Sequence, residues 1–197
     1  MNKRQATIRR TTNETDISLS LTLEGSGRAD VETGDGFLDH MLILFASHGR
    51  FDLKISAIGD LYVDGHHTVE DVGICLGQAL AAALGDKKGI RRFGDVTVPM
   101  DEALILSAVD LSGRSYFGSD LSLPSPRLGS FDTELVEEFF LGFVRNAACT
   151  LHVRRLAGTN SHHIIEGAFK SVARTLRKAV AIDAAFADEI PSTKGVL

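Results

Sequence analysis

Two short segments hold most of the chemistry this sequence could perform. Residues 63–73 read VDGHHTVEDVG and residues 159–169 read TNSHHIIEGAF, so the set His66, His67 and Glu70 recurs as His162, His163 and Glu166. On a helix, a histidine at i and a glutamate at i+3 or i+4 share one face. Adjacent helical histidines diverge by about 100°. His66 and His67 therefore suit two different ions better than one, with Glu70 completing one shell, and His162, His163 and Glu166 offer the matching arrangement. Imidazole and carboxylate together suit a first-row transition metal, whereas an oxygen-only set would suit calcium or magnesium. A solitary helical histidine is ordinarily a satisfied surface or core residue. Two adjacent pairs at equivalent places of a repeat point to metal binding. The zinc-protease pattern His-Glu-x-x-His, with its glutamate between the histidines, is absent, and the doubled pairs imply a paired-site design.

The repeat extends upstream. FLDHMLILF (37–45) resembles LVEEFFLGF (135–143), which sets His40 and Glu138 at equivalent points, each able to ligate. Apolar residues follow both histidine pairs at helical spacing: Val69, Val72, Leu76, Ala79, Leu80 and Ala83 after the first, Ile165, Phe169, Val172, Ala173, Leu176 and Val180 after the second. The chain reads as two similar halves, 1–90 and 91–185, followed by a polar tail, 186–197. In the first half QATIRRTT, DISLSLTL and Asp52–Ala57 read as strands, with helices over Phe37–His48 and His66–Leu84. In the second, DVTVPM, LILSAVDL, SYF and Thr150–Arg155 read as strands, with helices from about Asp132 to Ala147 and from His162 to about Ala185. The stretch 85–89 reads as the joint and Pro124–Pro126 as a surface loop. Each half is expected to be a mainly antiparallel sheet with two helices on one face, a duplicated two-layer α/β (α+β) sandwich. Neither half has much core alone, so the two should pack as one pseudo-symmetric unit. His48, at a helix end, reads as a cation stabilised by the helix dipole, and His152 as a structural strand residue.

Composition narrows the classes. The 197 residues are 44% hydrophobic and 24% charged, enough for a real core. The net charge of -5 lacks the basic footprint of nucleic-acid binding. The longest apolar stretch, around Ala79–Leu84, is too short for a bilayer, and no apolar run follows the basic N-terminus as a secretory signal would require. Cys75 and Cys149 lack ligand-like spacing and read as small buried hydrophobes in a reducing, cytoplasmic setting.

The segments VDGHHTVEDVGICL and GTNSHHIIEGAFK resemble the two signatures of the imidazoleglycerol-phosphate dehydratases, lyases of histidine biosynthesis. RRTTNETDI, GFLDHML, ASHGRFDL, RRFGD, MDEAL, DLSGRSY and the terminal PSTKGVL agree in order and spacing, so the resemblance covers nearly the whole chain. It implies a fold like the second domain of ribosomal protein S5, trimers that build 24-subunit particles with sites at subunit interfaces, and two manganese ions per active site. It implies His40, His66, His67, Glu70, His162, His163 and Glu166 as metal ligands. One arrangement groups His40, His67 and Glu70 with a histidine of the other pair, a partition that helix geometry leaves open. The sequence departs from the family at VEEFF, where many members carry VEHFF with a metal-binding histidine, so Glu138 stands as a carboxylate ligand there. Ile43 and Leu44 replace an Asp-Gln pair found in other forms.

The implied substrate is a phosphorylated imidazole. Its dehydration removes a hydroxyl from C3 and a proton from C2 with no neighbouring carbonyl to acidify it. The ring must then serve as electron sink, through a metal-stabilised imidazolate and a diazafulvene-like intermediate. Glu14, His67 and His163 form the implied catalytic set, with Glu14 as base for the C2 proton. Arg92, Arg114, Lys170, Ser192 and Lys194 match family positions for substrate and phosphate, where several fixed donors are needed. Arg91 reads as surface. A dinuclear phosphomonoesterase would draw more bridging aspartates than lie near these histidines. A non-catalytic metal-binding assembly protein would leave Glu14, Arg114 and the Ser-x-Lys tail without a purpose.

Overall fold

A computed structural model describes residues 4–197. The first half contains β1 (Gln5–Thr11), β2 (Thr15–Thr22), β3 (Ala29–Glu32), α1 (Gly36–Gly49), β4 (Asp52–Gly59) and α2 (His66–Leu84). The second contains β5 (Phe93–Met100), β6 (Ala103–Asp110), β7 (Tyr116–Ser119), β8 (Arg127–Leu128), β9 (Phe131–Asp132), α3 (Leu135–Ala147), β10 (Thr150–Ala157) and α4 (Ser161–Val180). One sheet runs β1-β2-β4-β3 and the other β5-β6-β10-β7, the same order twice. In each, three strands are antiparallel and the edge strand is parallel to its neighbour: β3 to β4, β7 to β10. The duplicated α/β architecture expected from the repeat is present.

Alternation makes these sheets one-sided. Ile17, Leu19 and Leu21 of β2 are buried while Asp16 and Ser18 are not, and Leu53 and Ile55 of β4 follow the same rule. The helices cover those inner faces and pack across the halves, α1 against α4 and α2 against α3. At the α2–α3 crossing the backbones nearly touch. A Cβ at Gly73 would stand 2.4 Å from the Phe139 carbonyl oxygen, and one at Gly142 would stand 2.8 Å from that of Glu70. Phe139 and Phe140 of α3 and Phe169 of α4, all in the second half, pack with rings 5.0–5.3 Å apart and belong to the one core that residues of both halves share.

Several boundaries differ from the sequence reading, for local reasons. β3 was not expected: it has four residues, three of them exposed, so alternation carries no signal. The segment ending at Asp132 opens a small hairpin, β8–β9, before α3 starts at Leu135. α4 stops at Val180 rather than near Ala185, because Ile182 turns away to bridge Ile90. A single helical turn follows at Ala184–Phe186.

Candidate metal centre

The α1–α4 packing brings together side chains from opposite ends of the chain. Asp35 caps α1, accepting from the backbone N–H of Phe37 and Leu38 at 2.9 Å. Asn160 caps α4 in the same way, accepting from His162 at 2.9 Å and His163 at 3.3 Å. With both first turns fixed, Nε2 of His40 lies 3.5 Å from Glu166 Oε2, and Nε2 of His162 lies 3.3 Å from the same oxygen. All three donor atoms lie within 4.8 Å of one another. Metal–ligand bonds of about 2.1 Å place neighbouring donors about 3 Å apart, so this triangle suits one ion. The two histidine side chains are 47% and 42% exposed while the carboxylate is 9% exposed, so the cluster opens on the protomer's surface. Lys170, one turn on, donates to Glu166 Oε1. Burial pushes the Glu166 carboxyl up, but the Lys170 hydrogen bond and charge, with His40 and His162, outweigh it and hold it below the usual range. Glu166 is thus kept ionised.

The remaining proposed ligands stand apart from this triangle, which is the one such group among the described residues. His66, His67 and Glu70 occupy the first turns of α2. Glu138 lies on α3 between Leu135, which borders Gly65, and Gly142, which borders Glu70. Helix α3 with α2 thus repeats the pairing of α1 with α4, and Glu138 takes the place of His40. His40 stands with His162 and Glu166 in the protomer, a different grouping from one with His67 and Glu70.

The second histidine of each pair faces carboxylates. His67 Nδ1 lies 3.0 Å from Asp60 Oδ2, and its Nε2 lies 3.7 Å from Glu14 Oε1. His163 Nδ1 lies 2.7 Å from Glu102 Oε2, and its Nε2 lies 3.9 Å from Asp101 Oδ2. The Asp60 hydrogen bond raises the His67 pKa, and the Glu102 hydrogen bond raises that of His163. The His163 bond, with backbone N–H donors from Asn160 and Thr159, lowers Glu102 to about 2. Glu14 sits in the β1–β2 turn. That hairpin is tied to α2 by Asp71, which accepts from Arg10 Nε at 2.9 Å and from Thr15 Oγ1 at 2.6 Å.

Sequence reasoning missed Asp60, Asp101 and Glu102, although the last two lie in the MDEAL segment. Their signal was topological: each occupies a turn bordering a strand of its own sheet, beside the histidine-bearing end of a helix. At the end of α1, burial, then the charges of Lys170 and Arg174, push the His48 pKa down, which opposes the cation expected there. His152 packs on Tyr116, ring to ring at 5.4 Å, as a strand residue.

The other polar residues gather at the far end of α4. Arg92 has left-handed backbone (φ 70°) and donates through Nε to Asp110 at 2.7 Å and through Nη1 to the Pro191 carbonyl at 2.8 Å. Arg114 lies 3.7 Å from the same Asp110. The tail folds back here: a Cβ on Gly113 would stand 3.0 Å from the Leu197 carbonyl carbon. Ser192 Oγ accepts from the Lys194 N–H at 3.2 Å in the turn between. Arg92, Arg114, Ser192 and Lys194 are thereby neighbours, whereas Lys170 lies with the histidine cluster.

A duplicated α/β fold with imidazole and carboxylate donors gathered at a helix start defines a protein of repeated architecture that carries a candidate metal site. The family model described as imidazoleglycerol-phosphate dehydratase matches residues 33–176. The chain belongs to the imidazoleglycerol-phosphate dehydratase family. It is 58% identical to the imidazoleglycerol-phosphate dehydratase of Desulforamulus reducens over 197 residues, all of both chains. It is 59% identical to that of Granulibacter bethesdensis over 194 residues, 98% of this chain and 99% of the relative. The crystal structure of the Staphylococcus aureus enzyme is similar with a TM-score of 0.83 at 41% identity, covering 91% of this chain and 99% of that one. The Pyrococcus furiosus enzyme, solved in complex with (S)-C348, gives 0.83 at 39% identity, covering 96% and 100%.

Proposed function

We infer that the chain acts as a hydro-lyase, removing water from imidazoleglycerol phosphate to give imidazole-acetol phosphate, with two manganese ions per active site. The observation that carries this reading is the triangle of His40, His162 and Glu166, whose donor set fits a first-row ion. The second ion would draw on His66, His67, Glu70, Glu138 and His163. When bound, the ions supply the positive charge that lets the substrate ring act as electron sink. The chain's own groups do the rest. Glu14, half-exposed beside the free side of His67, takes the C2 proton. Lys170 favours the ionised form of Glu166, the form in which that carboxylate would hold a cation. Arg92, Arg114, Ser192 and Lys194 grip the phosphate, Arg92 being aimed by Asp110 and by the tail itself.

One protomer does not complete this site. Arg92 donates its N–H to the Ala179 carbonyl at 2.9 Å. From His162 to Ala179, α4 rises roughly 25 Å, beyond the span of one small phosphorylated imidazole. On this reading the histidine cluster and the phosphate grip of one site would come from different copies, in keeping with sites at subunit interfaces; the trimers and the 24-subunit particle are what the family resemblance implies. Among the described residues no helix is long and apolar enough to cross a membrane, and two free, buried cysteines suit the reducing cytoplasm. The test is steady-state dehydration by chelator-stripped protein with manganese added in steps. Activity that returns with the metal is expected; no turnover at verified occupancy and intact assembly overturns the assignment.

A further inference from the structure

His67 and His163 are each gripped at Nδ1 by a carboxylate. Asp60 places its two oxygens 3.0 and 3.1 Å from the His67 nitrogen, and Glu102 places Oε2 2.7 Å from that of His163. An ionised carboxylate only accepts, so Nδ1 carries the proton in both rings. Nε2 is then the atom with a lone pair to give.

The two grips come from positions that do not correspond in the repeat. β1–β2 matches β5–β6, so Glu14 and Glu102, each directly before the second strand of its hairpin, are equivalent. Glu102 reaches Nδ1 of His163, yet Glu14 stands on the Nε2 side of His67. There the Nδ1 contact comes instead from Asp60, directly after β4. Simple inheritance through duplication would use the same position twice. The same hydrogen bond built from two different turns indicates that the requirement belongs to the imidazole. Both carboxylates are themselves fixed. Glu102 Oε1 accepts from the N–H of Asn160 at 2.8 Å and of Thr159 at 3.1 Å, leaving Oε2 for the ring. The Asp60 N–H donates to the Glu14 carbonyl at 3.1 Å, and its side chain is only 13% exposed.

We propose that Asp60 and Glu102 are positioning residues of the metal centre, which lock His67 and His163 in the Nδ1–H tautomer and present Nε2 to the ions. This rests on the metal reading above. An outer carboxylate of this kind orients the ring and makes it a stronger donor, and its loss typically costs 10–100-fold in metal affinity.

The experiment measures manganese affinity of the chelator-stripped, assembled protein by calorimetry, with free Mn2+ counted by electron paramagnetic resonance. Wild type is compared with Asp60→Ala, Glu102→Ala and the isosteric Asp60→Asn and Glu102→Gln. The alanine variants should each weaken one class of site by about 10–100-fold, the isosteric variants less, while the metal-free melting temperature stays near wild type. Wild-type affinity in all four variants overturns the proposal. So does a loss that tracks a fall in metal-free melting across the isosteric pair, because the role would then be structural. A wild type that takes up no manganese removes the metal reading and the inference with it.

Discussion

His40 on α1 and Glu166 on α4 meet at 3.5 Å although they belong to opposite halves of the repeat. They meet because α1 packs on α4 and not on α2, the other helix of its own sheet. Glu166 then holds three cationic or cation-forming groups at one carboxylate: His40, His162 and Lys170. Metal binding at this corner must recruit a carboxylate that Lys170 already engages.

Glu166→Gln keeps the shape of this corner but removes its charge. Manganese bound per protomer should fall by one ion and turnover by at least about 100-fold, more than loss of an outer partner produces. Metal counting on the purified variant, beside the dehydration assay, checks this. Wild-type stoichiometry would show that Glu166 is no ligand.

Glu138 occupies on α3 the place His40 holds on α1, and a carboxylate can serve there. Glu138→Ala should therefore lower manganese from two ions to one per protomer, while Glu138→His should retain both. Equilibrium dialysis with elemental analysis reads the outcome directly. An unchanged count in the alanine variant would leave Glu138 outside the metal shell.

The α2–α3 crossing leaves no room at Gly73. Gly73→Ala would drive a methyl against the Phe139 carbonyl at 2.4 Å. Relieving that contact forces the helices apart at a cost of about 1–3 kcal/mol. It also displaces Glu138 relative to Glu70. Denaturant unfolding should show the lost stability, together with weaker metal binding at the α2 ligands.

Arg92 and Asp110 are mostly buried partners, 16% and 19% exposed. Arg92→Ala leaves the Asp110 carboxylate only the more distant and more exposed Arg114 and frees the tail at Pro191, for an expected loss of about 2–3 kcal/mol, below the 3–5 of a fully buried pair. Limited proteolysis should cut within 186–197 faster than in wild type, and KM should rise. Asp110→Asn should loosen Arg92 while keeping its charge, so its KM defect should be smaller.

Asp52 clasps the segment before β3. It accepts from Ser26 N–H at 2.8 Å, from Arg28 N–H at 3.1 Å and from the Arg28 guanidinium at 3.0 Å. The Arg28 hydrogen bond, then the Ser26 backbone, hold its carboxyl well below the usual carboxylate range. A depressed folded value means the contribution is complete above the unfolded value of about 3.9. It is lost as pH falls through the folded value. Asp52→Asn should melt about 2–4 °C below wild type at pH 7, for a loss of about 1 kcal/mol. The gap should close as the pH drops below about 4.

The sequence by itself determined the repeat, the helices that begin at the histidine pairs, the one-sided strands and the family. Each of these is written in local periodicity or in residue types at fixed spacing. It left β3 and the β8–β9 hairpin invisible, since four- and two-residue strands carry too few alternating positions. It also left open which ligands share an ion. Helix periodicity states which face of α1 is apolar, but not which helix will cover it. That choice followed from the packing of two halves, where Gly73 and Gly142 admit α3 against α2 and leave α4 to α1. Asp60 and Glu102 became meaningful for the same reason. Their roles depend on a turn of one element standing beside the first turn of another, a relation only the tertiary structure decides.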